Sequence, residues 1–206
     1  EPSSIADLSK ALLEQPNDTA LLIKRMNRFI ENGELEKAII DQQQLFETDT
    51  SNLNYRYGLA DLYFELYPSN PNYILKSLAL ISDKYTVFPP MLLLRAKLYY
   101  VLQNYSQSLK DINTYLPSYP FDAEAYFFKG LNYKDLGDLE MAQSQFQTAV
   151  EQDPNYVESY EQLAFIYSFK GDSLAKYYFK NALISDTNQL SSWYNLGMYC
   201  QNQGDF

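Results

Sequence analysis

The residues best equipped for chemistry crowd into "DLGDLEMAQSQFQTAVEQDPN", where Asp135, Asp138, Glu140, Glu151 and Asp153 put five carboxylates into 21 residues. Paired carboxylates can serve as general acid and base, or hold a hard cation. The rest of the chain offers them little help. It has no histidine, the commonest general base and transition-metal ligand, and one cysteine, Cys200. A single thiol forms no internal disulfide and no cysteine-cluster zinc site, and without an imidazole to activate it reads as a small core residue. The glycines are dispersed, so no phosphate-cradling loop exists, and no Gly-x-Ser-x-Gly elbow occurs. No catalytic residue, metal or cofactor is expected.

The carboxylates instead recur. Asp138 has counterparts in Asp172 and Asp205, and in Glu34 and Asn104 at equivalent places. An active site is built once, so a residue repeated along the chain is a structural device. Its expected task is to accept hydrogen bonds from the free N–H groups at a helix start. The preceding glycine (Gly137, Gly171, Gly204) supplies the left-handed turn that ends the helix before it. Asp153-Pro154 closes the next helix, since proline disfavours helix at the residue ahead of it.

These recurrences belong to a period of 34 residues. Ala123–Tyr156 aligns with 157–189, one residue shorter, and with 190–206, which matches its first half. Tyr126, Tyr160 and Trp193 share one position; Lys129-Gly130, Leu163-Ala164 and Leu196-Gly197 share another. Upstream, 89–122 and 19–52 are further units, 53–88 is a 36-residue version expanded by "YPSNPN", and 1–18 fits only the second half of a unit. Each unit has apolar or small residues at i, i+3, i+4 and i+7 in two successive stretches, hence two amphipathic helices. Gly130, Ala142, Ala149, Ala164, Ala175 and Ala182 mark where paired helices must cross closely. One such pair cannot bury its own apolar face, so neighbours must stack. Both chain ends cut a unit, which is expected to leave apolar faces around Leu8 and around Trp193 and Leu196, and suggests a fragment or processed form.

The pattern aromatic, Leu/Gly-Gly/Ala, Tyr, Gly-Asp, Ala, Phe, Ala, Asp-Pro-Asn resembles the tetratricopeptide repeat. The likeness is dense over 123–206, good over 89–122 and thinner upstream, where Gln42 replaces the usual second-helix aromatic and Arg25-Met26 the Leu-Gly pair. It implies an all-α fold, a right-handed superhelical solenoid of antiparallel helix pairs, as one array over 1–206. It also implies a concave groove lined by first helices that binds a protein or peptide. The fifth, ninth and twelfth positions of each unit then face the groove. These candidates are Asn27, Tyr57, Asp61, Phe64, Leu93, Lys97, Tyr100, Phe127, Leu131, Lys134, Glu161, Phe165 and Tyr194, with Ile23, Ile30, Ser168, Met198 and Gln201 on the same lines. The lining is mostly apolar and aromatic. The Lys/Asn set of the clamp by which some family members hold chaperone C-terminal tails is absent. The groove reading makes the chain a non-enzymatic interaction scaffold; the alternative is a spacer that stacks through its open ends on itself or on further repeats.

Composition bounds the partners. With 16 basic and 26 acidic residues the chain carries −10, which repels phosphate backbones and anionic lipid. Nucleic acid is therefore not an expected partner. The most apolar run, Met91–Leu102, is broken by Arg95 and Lys97 and is too short to span a bilayer, so no membrane insertion is expected either. The absence of histidine, the lone cysteine and the polar N-terminus are similar to mature regions of bacterial envelope tetratricopeptide lipoproteins, whose lipidated cysteine would precede Glu1. That places the chain in the bacterial envelope or periplasm, with the cytoplasm as the alternative.

Overall fold

The computed structural model describes residues 4–81, 83–85, 88–185 and 190–203, and among them there are helices and no strand. The first five helices are α1 (Ile5–Glu14), α2 (Thr19–Glu31), α3 (Leu35–Thr48), α4 (Leu53–Leu66) and α5 (Asn72–Leu80). A short 3-10 turn (Asp83–Tyr85) precedes α6 (Pro89–Val101). Then come α7 (Tyr105–Tyr115), α8 (Ala123–Asp135), α9 (Leu139–Gln152), α10 (Val157–Phe169), α11 (Leu174–Ser185) and α12 (Leu190–Gln203). The chain forms two compact units, Glu1–Leu98 and Tyr99–Phe206, with the boundary inside α6. Within each unit consecutive helices pack on one another, α1 to α5 in the first and α7 to α12 in the second.

The turns between paired helices explain the repeated glycine and acid. Gly33, Gly137 and Gly171 have φ of 73°, 86° and 69°, the left-handed region that a side chain resists. At Gly137 the turn closes with Gly137 N–H donating to Lys134 O and Asp138 N–H to Tyr133 O, the paired bonds of a Schellman end. Asp138 then accepts from Met141 N–H at 3.0 Å. Asp172 accepts from Leu174 N–H at 2.9 Å, and Asn104 from Gln107 N–H at 3.4 Å. Glu34 departs from the expected cap. It makes no side-chain bond to the backbone and instead pairs with Lys37 and accepts from Asn32 Nδ2; a side chain one methylene longer than Asp overshoots the first turn. The Gly204-Asp205 turn lies outside the described residues. Gln103 closes the same turn without a glycine, at φ 58°, with its N–H and that of Asn104 donating to Tyr100 O and Tyr99 O.

Small residues admit large ones. Ala142, Ala149, Ala164, Ala175 and Ala182 are all fully buried. A Cβ on Gly130 would stand 2.6 Å from Cε1 of Phe146, so the ring of α9 occupies the space that glycine leaves on α8. Where Gln42 takes the aromatic's place it remains buried, and its Nε2 donates to Tyr55 O at 2.7 Å. It does so against Gly58, where a Cβ would sit 2.7 Å from that nitrogen. A polar side chain thus fills the site by satisfying a backbone carbonyl.

Arg25, the other departure upstream, is also accommodated by pairing. Its Nε and Nη2 donate to the two oxygens of Asp41 at 2.9 and 2.6 Å, and Nη1 donates to Ser9 Oγ at 3.1 Å. One guanidinium therefore ties α1, α2 and α3 together, and the bonds to Asp41 raise its pKa further. Arg95 and Asp111 repeat this 16-residue spacing, and both are buried.

Leu8 corrects the expected apolar N-terminal face. It is 1% exposed, because α1 packs along α2 and turns Leu8 and Leu12 inward.

Candidate functional site

The opening carboxylates form no site. Asp135 accepts from the Tyr100 hydroxyl at 2.9 Å, and Asp138 caps α9. Glu151 accepts from Gln147 Nε2, and Asp153 accepts from Asn155 N–H where the helix ends. Their partners are spread along the hairpin rather than converging on a point. Among the described residues no group of three or more His, Cys, Asp or Glu could hold a metal ion, and no described helix is long and apolar enough to cross a membrane.

In the first unit the groove candidates divide. Asn27 is exposed on α2, with Ile23 and Ile30 on its line. Tyr57 meets the Phe88 ring edge-on at 6.0 Å, and Asp61 is half-buried one turn further along α4. Phe64 and Lys97 come together, the ammonium 4.9 Å from the ring centroid, a cation–π contact that ties α4 to α6. Leu93 is a correction. It is 7% exposed and lies in a run, Met91–Ala96, buried at every residue. Helix α6 is covered on all sides there, so its register position does not reach solvent.

The second unit holds the more open surface. Tyr100 packs on Phe128 at 5.8 Å while its hydroxyl reaches Asp135. Phe127 is enclosed by rings, with Phe128, Phe146 and Tyr156 between 5.2 and 5.8 Å away. Leu131, 8% exposed, is the second correction: Phe146, Leu163 and Ile166 belong to the same core cluster, so α9 and α10 close over it. Glu161 accepts from Ser192 Oγ at 2.5 Å, and Tyr194 projects from α12, 67% exposed.

Lys134 and Phe165 are brought to one place. Lys134 Nζ donates to Gln162 Oε1 at 2.9 Å. Phe165 rests edge-on against Phe179 at 5.6 Å and stays 44% exposed. With Leu139, Gln162, Ile166 and Phe169 they line an open, largely apolar cleft of about 280 Å³. Its walls are the end of α8, the start of α9 and the outer stripe of α10. Phe169 is 82% exposed and the sequence reading passed over it. Its signal was present: Gln162, Phe165, Ile166 and Phe169 follow the three-four spacing of one helix face.

The electrostatics of this unit are negative. Burial and the charges of Glu124, Glu158, Asp122 and Asp153 push the Tyr156 phenol well above its ordinary range. Tyr178 is pushed up to about 12, by burial first and then by neighbouring tyrosines.

A family model described as tetratricopeptide repeat matches residues 123–156, and a second model of the same description matches 146–176. Among the curated proteins none matches the chain in sequence. Solved structures are similar in fold. A tetratricopeptide repeat protein from Parabacteroides merdae superposes with a TM-score of 0.75 at 20% identity, over 98% of this chain and 79% of that one. A chain of the APC/C hetero-tetramer Cut9-Hcn1 gives 0.74 at 17%, over 95% and 38%. YrrB, a TPR protein with an unusual peptide-binding site, gives 0.54 at 21%, over 93% and 98%. The all-α fold is that of a helical repeat solenoid, and two tetratricopeptide repeat models match within it, over residues 123–176.

Proposed function

We propose that this chain is a non-catalytic protein-interaction scaffold that holds a peptide or a partner helix against its first helices, with the α8–α10 cleft as the main contact. The supporting observation is the exposed apolar wall of α10. Phe165 and Phe169 leave 44% and 82% of their surface to solvent beside Leu139 and Ile166. Large aromatics left open at a concave site are the side chains that most often anchor binding. That YrrB is described as peptide-binding accords with this reading.

The test is selection of peptides from a random displayed library on the wild-type chain and on a Phe165→Ala/Phe169→Ser variant. Peptides enriched on the first and lost on the second support the cleft. Equal enrichment on both refutes it. A second reading, stacking through α12 on another repeat or a second copy, draws on Trp193, Tyr194 and Met198, exposed by 55%, 67% and 41%. Sedimentation velocity over a concentration series tests it; a concentration-independent monomer would dismiss it.

A further inference from the structure

The cleft beside α10 is lined by a single charge. Leu139, Phe165, Ile166 and Phe169 are apolar, Gln162 is neutral, and Lys134 is the one ionised residue among the described lining residues. Lys134 Nζ donates to Gln162 Oε1 at 2.9 Å and has no carboxylate partner among the described residues. An ammonium has three donors and no acceptor, so two N–H groups remain. Because it can only donate, it also fixes the amide, drawing the oxygen of Gln162 toward itself. Gln162 Nε2 is then left as a donor, likewise without a partner among the described residues. One short bridge between α8 and α10 thus presents an ammonium and an amide N–H at the edge of an apolar wall, a donor pair suited to the two oxygens of a carboxylate. A neutral occupant would strip water from Lys134 without replacing it. The number of acids is bounded too. The chain as a whole carries −10, a field that repels an acidic tract over a Debye length of roughly 8–10 Å, whereas one ammonium attracts at contact and serves one carboxylate. The cavity, about 280 Å³, has room besides for roughly one or two large apolar side chains.

We infer that the occupant of this cleft is an otherwise neutral amphipathic segment with one Asp or Glu side chain, whose carboxylate accepts from Lys134 Nζ and Gln162 Nε2 while a neighbouring apolar side chain seats against Leu139, Phe165 and Phe169. The inference rests on the cleft being the peptide site. The anchor supplies residence by desolvation, and the single acid fixes the register of the segment and rejects a basic residue at that place.

Labelled peptides of about 14 residues, four helical turns, test it. Both ends are capped, so that only a side chain can supply the carboxylate. All carry Leu and Phe at i, i+3, i+4 and i+7 with Gln and Ser elsewhere, and a single Glu is moved through the polar positions beside the anchors. Fluorescence anisotropy is expected to find a Glu placement that binds about fivefold tighter than the neutral peptide, with Lys at the same place binding more weakly than either. On Lys134→Met the ratio of Glu to neutral affinity should fall to about one. On Lys134→Glu it should invert, the Lys peptide becoming the tighter. A peptide with Glu at every polar position should bind more weakly than the single-Glu peptide at about 50 mM NaCl, the gap narrowing at about 300 mM. No Glu placement tighter than neutral, a ratio unmoved by Lys134→Met, or tightest binding by the all-Glu peptide overturns the inference. Phe169→Ser then judges the reading beneath it. If it weakens the neutral peptide about tenfold with helicity unchanged, the cleft stands as a peptide site without the carboxylate contact. Indifference of every peptide to Phe169→Ser, or binding of none, overturns both.

Discussion

Removing either partner of the Arg25–Asp41 pair should destabilise the first unit, and by unequal amounts. The inequality follows from what each substitution strands. Arg25→Met leaves the Asp41 carboxylate, 1% exposed, without the two bonds of 2.9 and 2.6 Å that satisfy it. An unpaired charge at that depth costs about 3–5 kcal/mol. Asp41→Ala strands the guanidinium instead, whose side chain is 20% exposed. It keeps its bond to Ser9 Oγ and its place 5.9 Å from the Phe29 ring centroid. Water reaches part of the group, so the cost should fall to about 2 kcal/mol. The double change Arg25→Met/Asp41→Leu removes both charges and should return to within about 1 kcal/mol of the wild type, because a buried pair contributes little beyond its own desolvation. Urea denaturation followed by circular dichroism, with the slope checked for constancy, gives all three values and the coupling between the sites. A cost for Asp41→Ala equal to or above that for Arg25→Met would refute the reasoning, as would both costs lying below about 1 kcal/mol.

Other positions give sharper or smaller effects. Gln103→Gly relieves the positive φ of 58° and should stabilise by about 0.5–1 kcal/mol, read as a raised urea midpoint, whereas Gly137→Ala should lose about 1 kcal/mol. Gly130→Ala places a methyl 2.6 Å from the Phe146 ring and should cost about 1–3 kcal/mol, partly recovered by adding Phe146→Leu. Ser159 Oγ is buried without a hydrogen-bond partner, so Ser159→Ala should be neutral or mildly stabilising in the same assay. The raised phenol of Tyr178, at about 12 against about 10 unfolded, favours the folded state below pH 10. That contribution should drain away between pH 10 and 12, with ionisation followed by absorbance near ~295 nm; alkaline stability constant over that range would contradict it.

The surroundings of each aromatic decide which substitutions can probe binding. Phe127 lies among three rings, so Phe127→Ala confounds binding with a packing loss of about 2–3 kcal/mol. Phe165 and Phe169 can be changed at far lower structural cost.

The sequence by itself determined the hairpins. Gly before Asp, the Ala–Phe–Ala spacing and Asp-Pro each act within a few residues, through φ, a cap bond or steric room, so their recurrence set helix starts, stops and faces. Its limits are just as local. A face with respect to a helix axis does not say what stands opposite. Leu131 and Phe165 occupy the same register line, the ninth position of their units, yet neighbouring helices cover the first and leave the second 44% exposed. Arg25 and Gln42 looked like losses of the repeat pattern until Asp41 and the Tyr55 carbonyl supplied partners from other helices. Phe169 gained meaning only beside Leu139 and Lys134, which are distant in sequence and close in space. Burial and pairing are properties of two surfaces meeting, and only the tertiary structure brings the second surface.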